Sequence, residues 1–176
     1  MTAVFRRLGV ALMIAVPVGL VTNAASGESR CADPTVLLVV RHADRAGTDD
    51  ALSAAGVARA RDLARVAAAS GVTAIYHSDT ARTRLTAEPL AVALGITPVE
   101  LPGKDIDGLL THVFAHHCGE TVLIVGHSNT VPLIVGAAGG PAMPDLPEHQ
   151  FDDVFIVTTT DATAKVVRLK YGAPTP

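Results

Sequence analysis

Two short stretches of this chain are apolar from end to end, and each stops at a histidine. Thr35-Val36-Leu37-Leu38-Val39-Val40 runs into Arg41-His42-Ala43-Asp44-Arg45, and Thr121-Val122-Leu123-Ile124-Val125 runs into Gly126-His127-Ser128-Asn129-Thr130. Apolar runs this short and rich in β-branched residues suit strands buried on both faces, as inside a parallel sheet. The polar cluster at the C-terminal end of each run falls where open α/β sheets collect their ligand sites. The two runs therefore restrict the chain to folds that set both histidines at one edge of a sheet.

The intervening segments alternate in the way such a sheet needs. Ser53 can cap a helix whose apolar stripe is Val57, Ala60, Leu63, Ala64 and Ala67, with Gly71 as its stop. Arg59, Arg61 and Arg65 read as its solvated face. Val72 to Tyr76 is a second strand, and His77 to Thr80 lead into a helix from about Ala81 to Leu94, closed by Gly95. Pro89 inside that helix predicts a kink or a split. Ile96 to Val99 reads as a short third strand, and residues 107–117 as a helix. Pro132 suits the first turn of the helix after His127, with Ser128 or Asn129 as cap candidates. Phe155 to Thr160 and Ala164 to Leu169 flank a hairpin turn at 161–163, and Gly172 to Pro176 reads as a frayed tail. This order predicts one three-layer α/β/α domain over residues 28–176 with a mostly parallel, mixed sheet.

Loops at that sheet edge can bring His42 and His127 together with Arg41 and with an arginine of the 78–87 segment, Arg82 or Arg84. Such a cationic cluster suits a phosphoryl group, since guanidinium presents a planar donor fork that matches phosphate oxygens. A neutral imidazole can attack phosphorus, and a second imidazole, as its cation, can neutralise charge on the oxygens during transfer. The cluster supplies the charge that a metal would otherwise bring, so no metal or other cofactor is expected.

Four motifs then carry a resemblance. Arg41-His42-Ala43-Asp44 resembles the Arg-His-Gly motif of the histidine phosphatase superfamily, with Ala43 in place of glycine. Residues 52–60 resemble its Leu-(Ser/Thr)-x-x-Gly-x-x-(Gln/Arg)-Ala segment. Residues 78–87 resemble Ser-x-x-x-Arg-x-x-x-Thr-Ala, and Gly126-His127 supplies the second histidine. The resemblance implies a phosphoglycerate mutase-like fold and a small exported bacterial branch. It implies a pocket of Arg41, His42, Arg82 and His127, with His42 the nucleophile. Arg45 and Asn129 are candidate substrate contacts. The proton donor is expected first at Asp105, in the loop after strand 3, and otherwise at Asp44. Ser128 stands where the acid-phosphatase branch has an aspartate. The implied activity is hydrolysis of a small phosphorylated substrate through a phosphohistidine. The alternatives are a phosphohistidine-protein phosphatase, a non-catalytic binder of phosphorylated ligands, or a metal-binding protein using His112, His116 and His117.

Residues 1–27 read as a secretory signal, with Arg6 and Arg7 ahead of the 14-residue apolar run Leu8 to Val21 and small residues after it. That run is short of the roughly 20 residues a membrane span needs, so no stable insertion is expected after cleavage; a retained anchor is the alternative. The predicted location is periplasmic or extracellular. Without Arg6 and Arg7 the formal charge of −3 becomes −5, and aromatic content is 3%, which disfavours a nucleic-acid binder. Cys31 and Cys118 precede the two key strands by similar distances, which predicts a disulfide at the end of the sheet away from the histidines; two free thiols are the alternative.

Overall fold

The computed structural model describes residues 31, 33–160 and 163–175. The signal segment at 1–27 and the hairpin turn residues 161 and 162 lie outside the described residues.

In chain order the elements are β1 (Thr35–Arg41), α1 (Ala54–Ala67), β2 (Val72–Ser78), α2 (Ala81–Leu94), β3 (Val99–Leu101), α3 (Ile106–His116), β4 (Thr121–Gly126), α4 (Thr130–Ala137), β5 (Asp153–Thr159) and β6 (Ala164–Lys170). The strands form one mixed sheet in the order β3-β2-β4-β1-β5-β6; the first four are parallel, β5 is antiparallel to both of its neighbours, and β6 therefore runs in the direction of β1. The chain steps outward through β2 to β3 and then reverses through β4. Right-handed crossovers therefore put α1 and α2 on one face of the sheet and α3 and α4 on the other.

The apolar run of β1 is explained by its place between β4 and β5. Leu37 and Val39 enter the core formed with α3 and α4. Leu38 and Val40 enter the core formed with α1 and α2. With both faces covered, no position can alternate to a polar residue until the strand ends.

Several boundaries differ from the sequence reading. Ser53 caps α1 by accepting from the Gly56 N–H, as expected, but the helix ends at Ala67, and Gly71 (φ +76°) turns the chain into β2 instead. Pro89 does not split α2, which runs whole from Ala81 to Leu94. Its neighbours Ala87 and Leu90 are fully buried, and this packing holds the helix across the missing N–H. The third strand begins after Pro98, at Val99, because pairing with Tyr76 to Ser78 fixes its register. The C-terminal tail is pinned: the Thr175 hydroxyl donates to Asp152 at 2.6 Å, and Arg59 donates to the Ala173 carbonyl at 2.8 Å.

Cys31 and Cys118 form a disulfide, next to the N-terminal ends of β1 and β4 and away from the histidines. It spans 87 residues, and a loop of that length constrains the unfolded chain strongly. Replacing both cysteines by serine is expected to lower stability by about 2–4 kcal/mol in urea titration, while leaving the folded protein's activity within two-fold. Among the described residues no helix is long and apolar enough to cross a membrane.

Candidate active site

The site forms where β1 and β4 end. Arg41 lies in register with Gly126, so the next residue on each strand leaves the sheet beside the other. The His42 N–H donates to the Gly126 carbonyl at 2.8 Å, and the His42 and His127 ring centroids are 5.5 Å apart. Arg82 comes in from the first turn of α2. These residues, with Arg45, Asp79, Lys104, Ser128, Asn129 and Glu148, line an open cleft of about 500 Å³. Arg41, His42, Arg82, His127, Arg45 and Asn129 are thus brought together as the sequence reading expects.

His42 is 3% exposed. Its Nδ1 lies 2.8 Å from the Ala43 carbonyl, which can only accept, so Nδ1 carries the proton and Nε2 keeps its lone pair. Burial, helped by the charges of Arg41, His127 and Arg82, pushes the imidazole down to about 3. The ring is therefore neutral across the working pH range. The unfolded chain takes up a proton near 6.5 that the folded site refuses until about 3, so the protein is expected to lose stability as pH falls through that window. Thermal melting between pH 7 and 4 checks this.

His127 is braced on both sides. Its Nε2 lies 2.7 Å from the Ser78 hydroxyl and its Nδ1 3.4 Å from an Arg82 amino group. Arginine only donates, which assigns the proton of neutral His127 to Nε2. Burial, then Arg82, lowers its pKa. A phosphoryl dianion placed beside it would raise that pKa again.

The other motif residues have structural tasks. The Thr86 hydroxyl accepts from the Ala43 N–H at 2.9 Å and donates to the Arg82 carbonyl, tying α2 to the residue after His42. Ala87 is fully buried. A Cβ on Gly56 would lie 2.0 Å from the Asp44 carbonyl oxygen, so only glycine lets α1 approach the loop after His42. Arg59 is buried, not solvated, and donates to the Asp44 carboxylate at 2.6 Å and to the Tyr171 and Ala173 carbonyls.

Arg41 is 2% exposed, and the 147–151 segment clamps it. Its guanidinium donates to the Pro147 and Gln150 carbonyls and to Glu148, and its far side stacks on Phe151 at 4.2 Å. Arg82 donates to Asp50 at 2.6 Å. The Nε groups of both arginines are buried without an acceptor among the described residues. Two unmatched guanidinium N–H donors beside one cleft suit an anion.

Neither expected proton donor reaches the cleft. Asp105 is the N-cap of α3, accepting from the Gly108 N–H at 2.9 Å, and it borders a separate apolar pocket. Asp44 is held by Arg59. Arg45 does enter the cleft, 4.0 Å from Glu148. The sequence does not single out three further residues of this site: Glu148 and Phe151 sit in a Gly/Pro-rich loop with no motif, and Asp79 lies in the lead-in to a helix. The Ser128 hydrogen bond, followed by Arg41 and Arg45, holds the Glu148 carboxyl below the usual carboxylate range.

The 112–117 histidines do not converge as a ligand set. The His116 ring bonds the His112 carbonyl, while His117 sits between Glu120 and the Tyr76 hydroxyl. Among the described residues no group of three potential metal ligands is found.

The family model for the histidine phosphatase superfamily (branch 1) matches residues 37–105, which hold the first three motifs. Solved structures share the fold. SixA from Agrobacterium tumefaciens, assigned as a phosphohistidine phosphatase, is 22% identical with a TM-score of 0.56, and the match covers 81% of this chain and 99% of that one. An Escherichia coli K-12 protein assigned as an alpha-ribazole-5'-phosphate phosphatase is 13% identical with a TM-score of 0.61, covering 77% and 96%. YhfR from Bacillus stearothermophilus is 20% identical with a TM-score of 0.59, covering 76% and 95%. No curated protein sequence gives a significant match. Residues 37–105 carry the match to the superfamily model, and the phosphoglycerate mutase-like α/β fold is the one the motifs imply.

Proposed function

We propose that this protein is a phosphomonoesterase that passes the phosphoryl group of a small substrate to His42 and then to water. The observation that carries this reading is the His42 tautomer: the bond from Nδ1 to the Ala43 carbonyl leaves Nε2 as a buried lone pair beside Arg41, Arg82 and His127. In the first step Nε2 attacks phosphorus and the P–O ester bond breaks, with the leaving oxygen taking a proton. In the second step water attacks, the P–N bond breaks, and phosphate leaves as His42 returns to its starting form. Arg41, Arg82 and His127 hold the phosphoryl oxygens, the role a metal plays elsewhere. Arg45 and Asn129 are placed to contact the rest of the substrate.

Turnover of 4-nitrophenyl phosphate with and without a chelator tests the reaction class. Equal rates are expected; activity that chelation removes, or no activity at all, would count against it, the latter favouring a phospho-ligand binder. A phosphohistidine-protein phosphatase is the second reading, supported by the near full-length match to SixA. Preference for a phosphohistidine peptide over phosphate esters would favour it. The 1–27 pattern and the Cys31–Cys118 bond support an exported, oxidising location.

A further inference from the structure

The reaction proposed above needs a proton for the leaving oxygen, and neither Asp105 nor Asp44 is in place to give it. We infer that Asp79 is the proton donor. This rests on the phosphomonoesterase reading and adds the residue that reading lacks.

Only two carboxylates line the cleft among the described residues, Asp79 and Glu148. Glu148 is occupied, with one oxygen 3.0 Å from an Arg41 amino group and the other accepting from the Ser128 hydroxyl. A carboxylate held by two arginines and a hydroxyl gives up its charge reluctantly, which is the wrong property for an acid. The remaining nearby acids are also engaged: Asp44 by Arg59, Asp50 by Arg82 and the Ala81 N–H, and Asp105 by the Gly108 N–H. Asp79 forms no hydrogen bond or ion pair among the described residues.

Its place fits the task. Asp79 follows Ser78, the residue that braces His127, and its charge is felt by the His127 ring. Its Oδ1 lies over Gly103, where an added Cβ would be 3.5 Å away. His42 is at the buried floor of the cleft, and Asp79 is exposed at the mouth. In-line displacement puts the leaving oxygen on the side of phosphorus opposite the nucleophile, and so toward the mouth. The Asp79 carboxyl transfers its proton to the leaving oxygen as the P–O bond breaks, then, as carboxylate, takes one from the water that hydrolyses the phosphohistidine. An added Cβ at residue 103 would also lie 2.9 Å from the Ser78 Cβ, so glycine lets this loop pack against the residue that braces His127.

The test compares esters with good and poor leaving groups. Asp79→Asn is expected to lower kcat/KM for glycerol phosphate by about 100-fold or more, and for 4-nitrophenyl phosphate by less than ten-fold, because nitrophenolate departs without a proton. Glu148→Gln should show a leaving-group dependence parallel to the wild type. A loss in Asp79→Asn that is equal on both esters, or no loss, would overturn the assignment, as would a steepened dependence in Glu148→Gln alone. Unchanged melting temperature establishes that the variant is folded; if Asp79→Asn melts lower, Asp79→Glu, which restores an acid, is expected to recover the glycerol phosphate rate, and failure to do so overturns the role. Wild-type activity that survives His42→Ala would instead refute the underlying reaction, whatever Asp79 does.

Discussion

His42→Ala is expected to reduce phosphate ester turnover by at least about 10⁴-fold, the scale seen when a covalent nucleophile is removed. The variant should still bind inorganic phosphate within a few-fold of the wild type. The reason is the division of labour in the cleft: Arg41 and Arg82 supply the charge that holds an anion, while the neutral His42 ring supplies only its Nε2 lone pair. Burial, helped by the charges of Arg41, His127 and Arg82, holds that imidazole down at about 3, so in the free protein the lone pair is available at neutral pH. Steady-state rates with 4-nitrophenyl phosphate and calorimetric titration with phosphate check both halves. Loss of phosphate binding along with activity would mean that His42 shapes the pocket instead of reacting in it.

The second large effect is on stability. Arg59→Met is expected to cost about 3–5 kcal/mol, because it strips a buried ion pair of its cation. Arg59 is 4% exposed, and it meets the Asp44 carboxylate with two nitrogens and the Tyr171 and Ala173 carbonyls with a third. Burial would lower its pKa, but the Asp44 hydrogen bonds and charge outweigh this and raise it. One side chain therefore joins α1, the loop that follows His42, and the C-terminal tail. Removing it takes the donor from four acceptor oxygens, two of the Asp44 carboxylate and the Tyr171 and Ala173 carbonyls. The double variant Arg59→Met, Asp44→Asn is expected to be less damaged than the single one, since no unpaired charge remains. Urea titration of the three proteins measures the coupling. If Arg59→Met loses less than about 1 kcal/mol, the brace is a surface contact in practice.

These two residues show what was legible in the sequence. His42 could be read because a strand buried on both faces leaves no room for polar residues before its end, so the first charged pair marks the sheet edge. The register of Arg41 with Gly126 then makes the two histidines neighbours. Arg82 could be read from its spacing to Ser78 and Thr86, and the structure gives the reason: Ser78 holds His127, and Thr86 holds the Ala43 N–H. Arg59 lies inside a recognisable motif, yet its place in the helix periodicity points to a solvated face, whereas the structure buries it. Periodicity places a residue on a helix face but does not say that a distant tail covers that face. Asp105 was expected to be an acid because of its loop, but its local geometry is that of a helix cap. Glu148 and Phe151 carry no signal, since their roles arise from the way residues 147–151 wrap the Arg41 guanidinium. Asp44 and Arg45, adjacent in sequence, divide: the first braces the loop and the second faces the cleft.

In the proposed reaction a phosphoryl group rests on His42 between the two steps. Rapid quenching of the wild-type protein with a phosphate ester, followed by peptide mapping under alkaline conditions, tests it most directly. An acid-labile, alkali-stable phosphate on the peptide that contains His42 is the expected result. Phosphate on the peptide that contains His127, or turnover that proceeds with inversion of configuration at phosphorus, would contradict it.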